Sequence, residues 1–487
     1  MLHSTESPEP TIIQGGMGVA VSDWKLARAV SKTGQLGVVS GTAIDTVLVR
    51  RLQLGDAGGH MRRALAEFPY QQMAQRILLR YFIDGGLTDG APHATTMVLS
   101  DQPSQSELEL VVVANFAEVY LAKESHDGLV GINYLEKIQT PTLPSLFGAM
   151  LAGVDYVLMG AGIPRAIPGI LDRLQDGLPV ELPLHIAGAQ SGDDFISRFD
   201  PMAFGEGEIP WLNRPKFLAI VASVTLATVL ARKSSGRVDG FIVEGPTAGG
   251  HNAPPRGKSP LNERGEPTYG DRDAVDLRAI AALGLPYWLA GSYGSPEQVG
   301  EAIKSGATGV QVGTAFAFCE ESGFRRDIKE RIIQQCRDGD LDVVTDPLAS
   351  PTGFPFKVFQ IDGSMSDAAV CEQRPRVCDL GFLRQGYRKS NGMIGWRCPG
   401  EPVKSYVHKH GKVEDTVGRK CVCNGLLASI GLEQHRRNDQ VEHPLVTCGD
   451  DVASITKFLR SDDAKTYTAA DVVECLVSAA SVRNATA

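Results

Sequence analysis

Short apolar runs alternate along this chain with stretches of helical period, and each run ends in or beside Gly, Ser, Asn or Thr. The runs cover residues 11–14, 36–40, 129–134, 156–160, 216–223, 238–245, 285–291 and 309–314. Phe241, Ile242 and Val243 form a continuous apolar triplet, the pattern of a parallel strand buried on both faces. Between the runs, residues 24–33, 143–152, 224–233 and 296–305 have helix-compatible spacing. Ser295-Pro296-Glu297 has the form of a cap followed by proline in the first turn. Eight strands alternating with helices predict an α/β fold of the (β/α)8 TIM-barrel type, with its active site at the C-terminal strand ends. A doubly wound sheet is the structural rival.

The barrel is expected over residues 11–320, with a long insertion after the second strand at about 45–128. Within the insertion, residues 61–81 read as helical and 108–114 as an extra β-like run; the whole reads as a lid or an interface element. A C-terminal extension occupies 345–487. It begins with a turn-rich, aromatic stretch at 345–356, expected to wrap the barrel mouth or a partner, and closes with a capped helix near 467–473.

Composition narrows the chemistry. Lys and Arg number 48 against 57 Asp and Glu, a formal charge of -9, and no basic stripe supports nucleic-acid or membrane-surface binding. Small molecules are the expected partners, with a homo-oligomer left open. Residues 1–10 lack a charged-then-apolar export pattern, which points to a cytoplasmic protein. The longest apolar run, 217–231, is shorter than the roughly 20 residues that span a bilayer, and reads as a strand followed by a helix. Nine cysteines without an export signal argue for reduced thiols or metal ligands. Cys378, Cys398, Cys421 and Cys423 recur in a Gly-, Arg- and Asp-rich region, with Cys371 and Cys448 outside them, and are candidate ligands for a structural zinc or an iron-sulfur cluster. The C-x-C spacing of Cys421 and Cys423 departs from the paired C-x-x-C of zinc ribbons, so buried free thiols stand beside the metal reading.

Chemistry concentrates at the strand ends. Gly249-Gly250-His251 follows the sixth run, placing one imidazole, able to exchange a proton near neutrality, on a turn that lets backbone approach a ligand closely. Gln14-Gly15-Gly16-Met17-Gly18 follows the first run, but its glycine order does not give the G-x-G-x-x-G dinucleotide fingerprint. Ala290-Gly291-Ser292-Tyr293-Gly294 and Gly313-Thr314-Ala315-Phe316 end the seventh and eighth runs, where barrels commonly hold a cofactor phosphate. Glu244 either orients a ligand or bonds its own loop. His185, inside the run 184–188, reads as a core histidine. Gly58-Gly59-His60 reads as a helix start, and Pro254-Pro255-Arg256 as a stiffened basic loop, solvated or touching an anionic substrate group.

Together with Gly131-Ile132-Asn133, Met159-Gly160-Ala161-Gly162 and Gln311-Val312-Gly313, these motifs resemble the nitronate monooxygenase (2-nitropropane dioxygenase-like) flavoprotein family over roughly residues 11–320. The resemblance implies a TIM barrel that binds FMN non-covalently, with His251 as catalytic base. It places Gly16, Met17 and Asn133 by the flavin ring, and Gly291, Ser292, Gly294, Gly313 and Thr314 at its phosphate. Gly15, Gly18, Gly160, Glu244, Gly249, Gly250, Ala290 and Gln311 complete the candidate cofactor-binding set. Ser292 stands where the family usually has a second glycine. The implied reaction is oxidation of alkyl nitronates or nitroalkane-like substrates, with dioxygen as acceptor. Related FMN-dependent NAD(P)H enoyl reductases of acyl thioesters share the Ala-Gly-Gly-His turn and give the alternative enzyme; a flavin-binding interaction module is the alternative of another class.

Overall fold

The computed structural model describes residues 9–96, 98–257, 260–437 and 440–481. Eight parallel strands form its central sheet: β1 (Ile12–Gln14), β2 (Gly37–Ser40), β3 (Val130–Leu135), β4 (Tyr156–Gly160), β5 (Lys216–Val221), β6 (Gly240–Glu244), β7 (Tyr287–Ala290) and β8 (Gly309–Val312). Neighbours follow chain order, and β1 pairs β8 through Ile13 and Gln311. The ring closes between β1 and β2 by an Ile13–Leu36 bridge and the bonds Gln14 N–H to Leu36 O (2.9 Å) and Leu36 N–H to Ile12 O (3.1 Å). Buried Gln14 stitches the same seam with its side chain, accepting from Val38 N–H at 3.0 Å and donating to Ser22 Oγ at 2.8 Å. The expected (β/α)8 barrel is the fold.

Two-sided burial explains why the strands read as continuous apolar runs. Successive residues alternate between barrel interior and helical shell. Ile13, Val38, Leu158, Leu218, Ile242 and Trp288 pack together inside, while their neighbours Ile12, Val39, Val157, Phe217, Phe241 and Leu289 join the larger cluster under the helices. The Trp288 indole N–H donates to Pro10 O at 2.7 Å, and Glu9 takes Tyr156 Oη (2.9 Å) and Lys216 Nζ (2.7 Å), closing the N-terminal end of the barrel.

Ser295 caps the helix Pro296–Lys304, its side chain accepting from Gln298 N–H, and Ser223 does the same for Val224–Lys233. The run at 108–114 is not a strand. It lies inside the helix Gln105–Lys123, started by a Ser104/Glu107 capping box and buried on nearly every side against the helices Trp24–Ser31, Ile44–Gln53 and Thr142–Leu151. A helix buried all round has no polar stripe, and Val111, Val112 and Val113 supply β-branched residues that mimic a strand. The insertion thus builds the outer layer; from 57 to 123, none of its residues lines the cavity at the strand ends. Gly59 caps the helix His60–Ala66, the expected helix start.

The chain beyond residue 345 returns to the barrel. Strands β9 (Val343–Asp346) and β10 (Phe356–Phe359) form a hairpin to which the two-residue strand Gly250–His251 adds. A second hairpin, β11 (Gln385–Arg388) and β12 (Ile394–Arg397), takes Ile186–Ala187 as a parallel third strand. The final helix, Ala469–Ser481, is capped by Thr468 and Asp471 and packs against Pro296–Lys304 and Trp24–Ser31, filling the shell position that follows β8. No helix among the described residues is long and apolar enough to cross a membrane.

Candidate active site

The C-terminal strand ends surround a cavity of about 220 Å3. Gly15, Gly16, Met17, Gly18, Asn133, Gly160, Glu244, Gly249, Gly250, His251, Ala290, Gly291, Ser292, Gln311, Gly313 and Thr314 all line it. Gly294 does not; it sits behind the wall, where an added Cβ would lie 2.9 Å from Asp451 Oδ2. The C-terminal segment adds a further wall: Phe356, Phe382, Leu383, Val422, Cys423, Leu426 and Thr447 through Gly449, with Asp451.

His251 is fixed by that segment. Its backbone pairs with Phe356 in β10, its ring lies 4.6 Å from the Phe356 ring centre, and Nε2 shares a 2.7 Å hydrogen bond with Ser350 Oγ. Burial, with Lys137 adding repulsion, lowers the imidazole to about 4, so it is neutral at pH 7. The two glycines before it have separate reasons. Gly250 has φ +78°, and a Cβ on Gly249 would lie 2.6 Å from the carbonyl carbon of Cys448. Glu244, at the end of β6, is pushed up to about 7 by burial, which leaves its carboxyl about half protonated at neutrality.

The turns after β7 and β8 face the start of a 3₁₀ helix, Asp450–Phe458. Asp451 accepts from Gly294 N–H and from the Thr314 hydroxyl, while Thr314 Oγ1 accepts from Gly449 N–H at 2.9 Å. Burial, with Asp450 nearby, raises the Asp451 carboxyl. Lys357 of β10 reaches Asp450 at 2.7 Å, tying this cap to the hairpin that carries His251. Ser292 Oγ, Gln311 Oε1 and Asp451 Oδ1 are buried without a hydrogen-bond partner in the protein. Buried polar atoms in a cavity normally find partners, so these orphans mark positions for a polar ligand.

Two expectations are corrected here, and one open alternative falls to its solvated reading. His185 is no core histidine: its side chain is 73% exposed, 3.6 Å from Glu136, because Leu184 and Ile186 point inward and leave it facing out. Arg256 donates to the carbonyls of Arg272 and Ala222 and stays outside the cavity. Cys378, Cys398, Cys421 and Cys423 do converge on one small pocket, but no group of His, Cys, Asp or Glu among the described residues is arranged to hold a metal ion. Their sulfurs are otherwise engaged. Cys378 and Cys398 bond each other, and Cys421 donates to Val377 O and accepts from the Asn424 amide. Burial pushes the Cys421 and Cys423 thiols upward, while the bond from Cys398 lowers Cys378. All nine cysteines are free.

Residues 204–347 match the family model described as nitronate monooxygenase. The matched stretch spans β5 to β8 and includes Glu244, His251 and both glycine turns opposite Asp451. No curated protein matches the chain. Among solved structures it is similar to FabK from Thermotoga maritima (15% identity, 98% of this chain and 95% of that one, TM-score 0.47). It is also similar to nitroalkane oxidase from Streptomyces ansochromogenes (15% identity, 99% of each chain, TM-score 0.43). The enoyl reductase domain of MlnA from Bacillus amyloliquefaciens is a third (10% identity, 97% and 94%, TM-score 0.48). At such scores these likenesses carry no weight for this chain's activity.

Gly249→Ala should destabilise the fold by about 1–3 kcal/mol, because the added methyl has only the Cys448 backbone to displace. Chemical denaturation of the two proteins checks this, and equal midpoints would contradict the close approach.

Proposed function

We propose that this protein is an FMN-dependent oxidoreductase of the nitronate monooxygenase type, oxidising alkyl nitronates or nitroalkane-like substrates with dioxygen. The carrying observation is a neutral, half-buried His251 held against a cavity whose glycine turns and orphaned Ser292 and Gln311 atoms suit a flat, phosphorylated ligand. FMN, when bound, supplies the two-electron chemistry.

The residues present fit that group. Gly16 leaves the floor beside Asn133 free of side chain, since a Cβ there would lie 2.4 Å from Asn133 Cβ. Ser292 Oγ and the backbone N–H groups of Gly313 and Thr314 are the donors offered to a phosphate, with Asp451 as its closest acidic neighbour. Gln311, Asn133 and Glu244 offer polar atoms to the ring, and Glu244 can donate while it keeps its proton.

His251 is the proton acceptor. A neutral imidazole holds one lone pair, and when Nε2–H donates to Ser350 that lone pair is on Nδ1, ready for the acidic proton α to a nitro group. Ser350 Oγ is itself held by Thr352, accepting from its N–H at 3.2 Å, which fixes the ring partner. Phe356 packs on the imidazole, so the ring that takes the proton is fixed on one side by an apolar wall.

The purified protein is expected to be yellow, to release FMN on denaturation, and to consume oxygen with a small alkyl nitronate; a colourless protein that cannot be reconstituted with FMN contradicts the assignment. His251→Asn should keep FMN but lose about 10²–10⁴ of kcat/KM with a nitroalkane. In the native enzyme the acidic limb of that pH profile should lie near 4, where His251 gains its proton, and a limb at the ordinary imidazole value would refute the buried neutral base. A carboxylate at 451 opposes a phosphate, so Asp451→Asn should tighten FMN binding about tenfold at pH 8, read by flavin fluorescence quenching. Weaker binding in that variant would make Asp451 a required phosphate partner instead.

A further inference from the structure

Beside the site lies a second, larger cavity of about 520 Å3, separated from the first by Phe382 and Leu383, which line both. The loops after β3 and β4 pass directly from one to the other: Leu135 borders the first and Glu136 the second, and likewise Ala161 and Gly162. Three cations face the second cavity, Lys137, Arg384 and Arg419. Among the described residues none of them forms an ion pair with a carboxylate.

Their contacts are with carbonyls and rings. Lys137 Nζ lies 3.3 Å from Thr352 O and 3.6 Å from the centre of the Phe354 ring. Arg384 donates to Gly381 O and Val98 O at 3.1 and 3.2 Å, and lies 5.7 Å from the Trp396 ring centre. Arg419 donates to the carbonyls of Asp415, Leu348 and Ser350. Carbonyls and rings orient a cation without neutralising it. Two acids border the same space. Glu136 is turned to His185 at 3.6 Å, and Asp415 accepts from Tyr406 Oη at 3.3 Å.

We infer that this second cavity receives the anionic tail, a phosphate or a carboxylate, of an elongated substrate whose reacting end lies beside His251. The inference rests on the proposed function for the position of the reacting end, and on the three unpaired cations for the chemistry of the tail. Phe382 and Leu383 are then the apolar waist across which the chain of the substrate passes, and Trp396 and Tyr406 flank its far end. Such a substrate is larger than a simple nitroalkane. The cations select it by charge, and the waist selects it by an unbranched apolar stem.

Calorimetry on the full-length protein, as purified with its flavin, tests this with octyl phosphate, octanoate and octanol. The expected result is saturable binding of at least one of the two anions, weakened about tenfold in Arg384→Gln and in Lys137→Gln, restored towards the native value in Arg384→Lys, with octanol binding no better than to the variants. Preference between octyl phosphate and octanoate names the headgroup. Lys137 is on the exposed rim, so its variant reads charge without threatening the fold. Equal binding of octanol and both anions, no binding of any probe, or anion binding unchanged in both variants would overturn the inference. Failure of the flavin assignment reads differently: a colourless protein that still binds the anions with this charge dependence.

Discussion

Gly250 and His251 add as a two-residue strand to the edge of the β9–β10 hairpin, and the site depends on that pairing. A lone imidazole on a glycine turn has no fixed direction. Here its backbone is hydrogen-bonded to β10, its ring packs on Phe356, and Nε2 is held by Ser350. The same hairpin reaches the opposite side of the cavity through Lys357 and Asp450, next to Asp451. One element from the C-terminal segment therefore positions His251 and the cap over the glycine turns. The barrel supplies the floor.

This arrangement also sets the electrostatics. His251, Glu244 and Asp451 are half-buried in a cavity that Phe356, Phe382 and Leu426 help to wall, and desolvation moves all three towards their neutral forms: the imidazole downward, the carboxyls upward. For the two acids that direction lessens their repulsion of an anionic cofactor.

Much of this was legible in the sequence, for a physical reason. Parallel barrel strands are buried on both faces, so each is a continuous apolar run, and each run stops at small residues where the backbone turns towards the cavity. The glycine turns and His251 follow from that reading, and His251 with all but Gly294 of the candidate cofactor-binding residues line one cavity. The helix Gln105–Lys123 was not legible because burial on all sides erases its polar stripe. His185 lies in an apolar run but on the outward phase of its alternation, which composition does not reveal. Ser350 and Phe356 lie in the aromatic stretch read as wrapping the barrel mouth or a partner, but nothing local tied them to His251, 99 residues before Ser350, and Phe382 and Asp451 had no local signal. The four C-terminal cysteines do gather, but around hydrogen bonds to one another and to neighbouring groups, and not as a ligand set.

The account's central claim is that His251 serves a flavin reduced by a nitro compound. The most direct measurement mixes the flavin-loaded protein anaerobically with an alkyl nitronate, and separately with NADPH, while following the visible flavin band. Bleaching by the nitronate, with NADPH leaving the band unchanged, is the predicted result; rapid bleaching by NADPH with the nitronate inert would contradict it and assign the site to reductase chemistry.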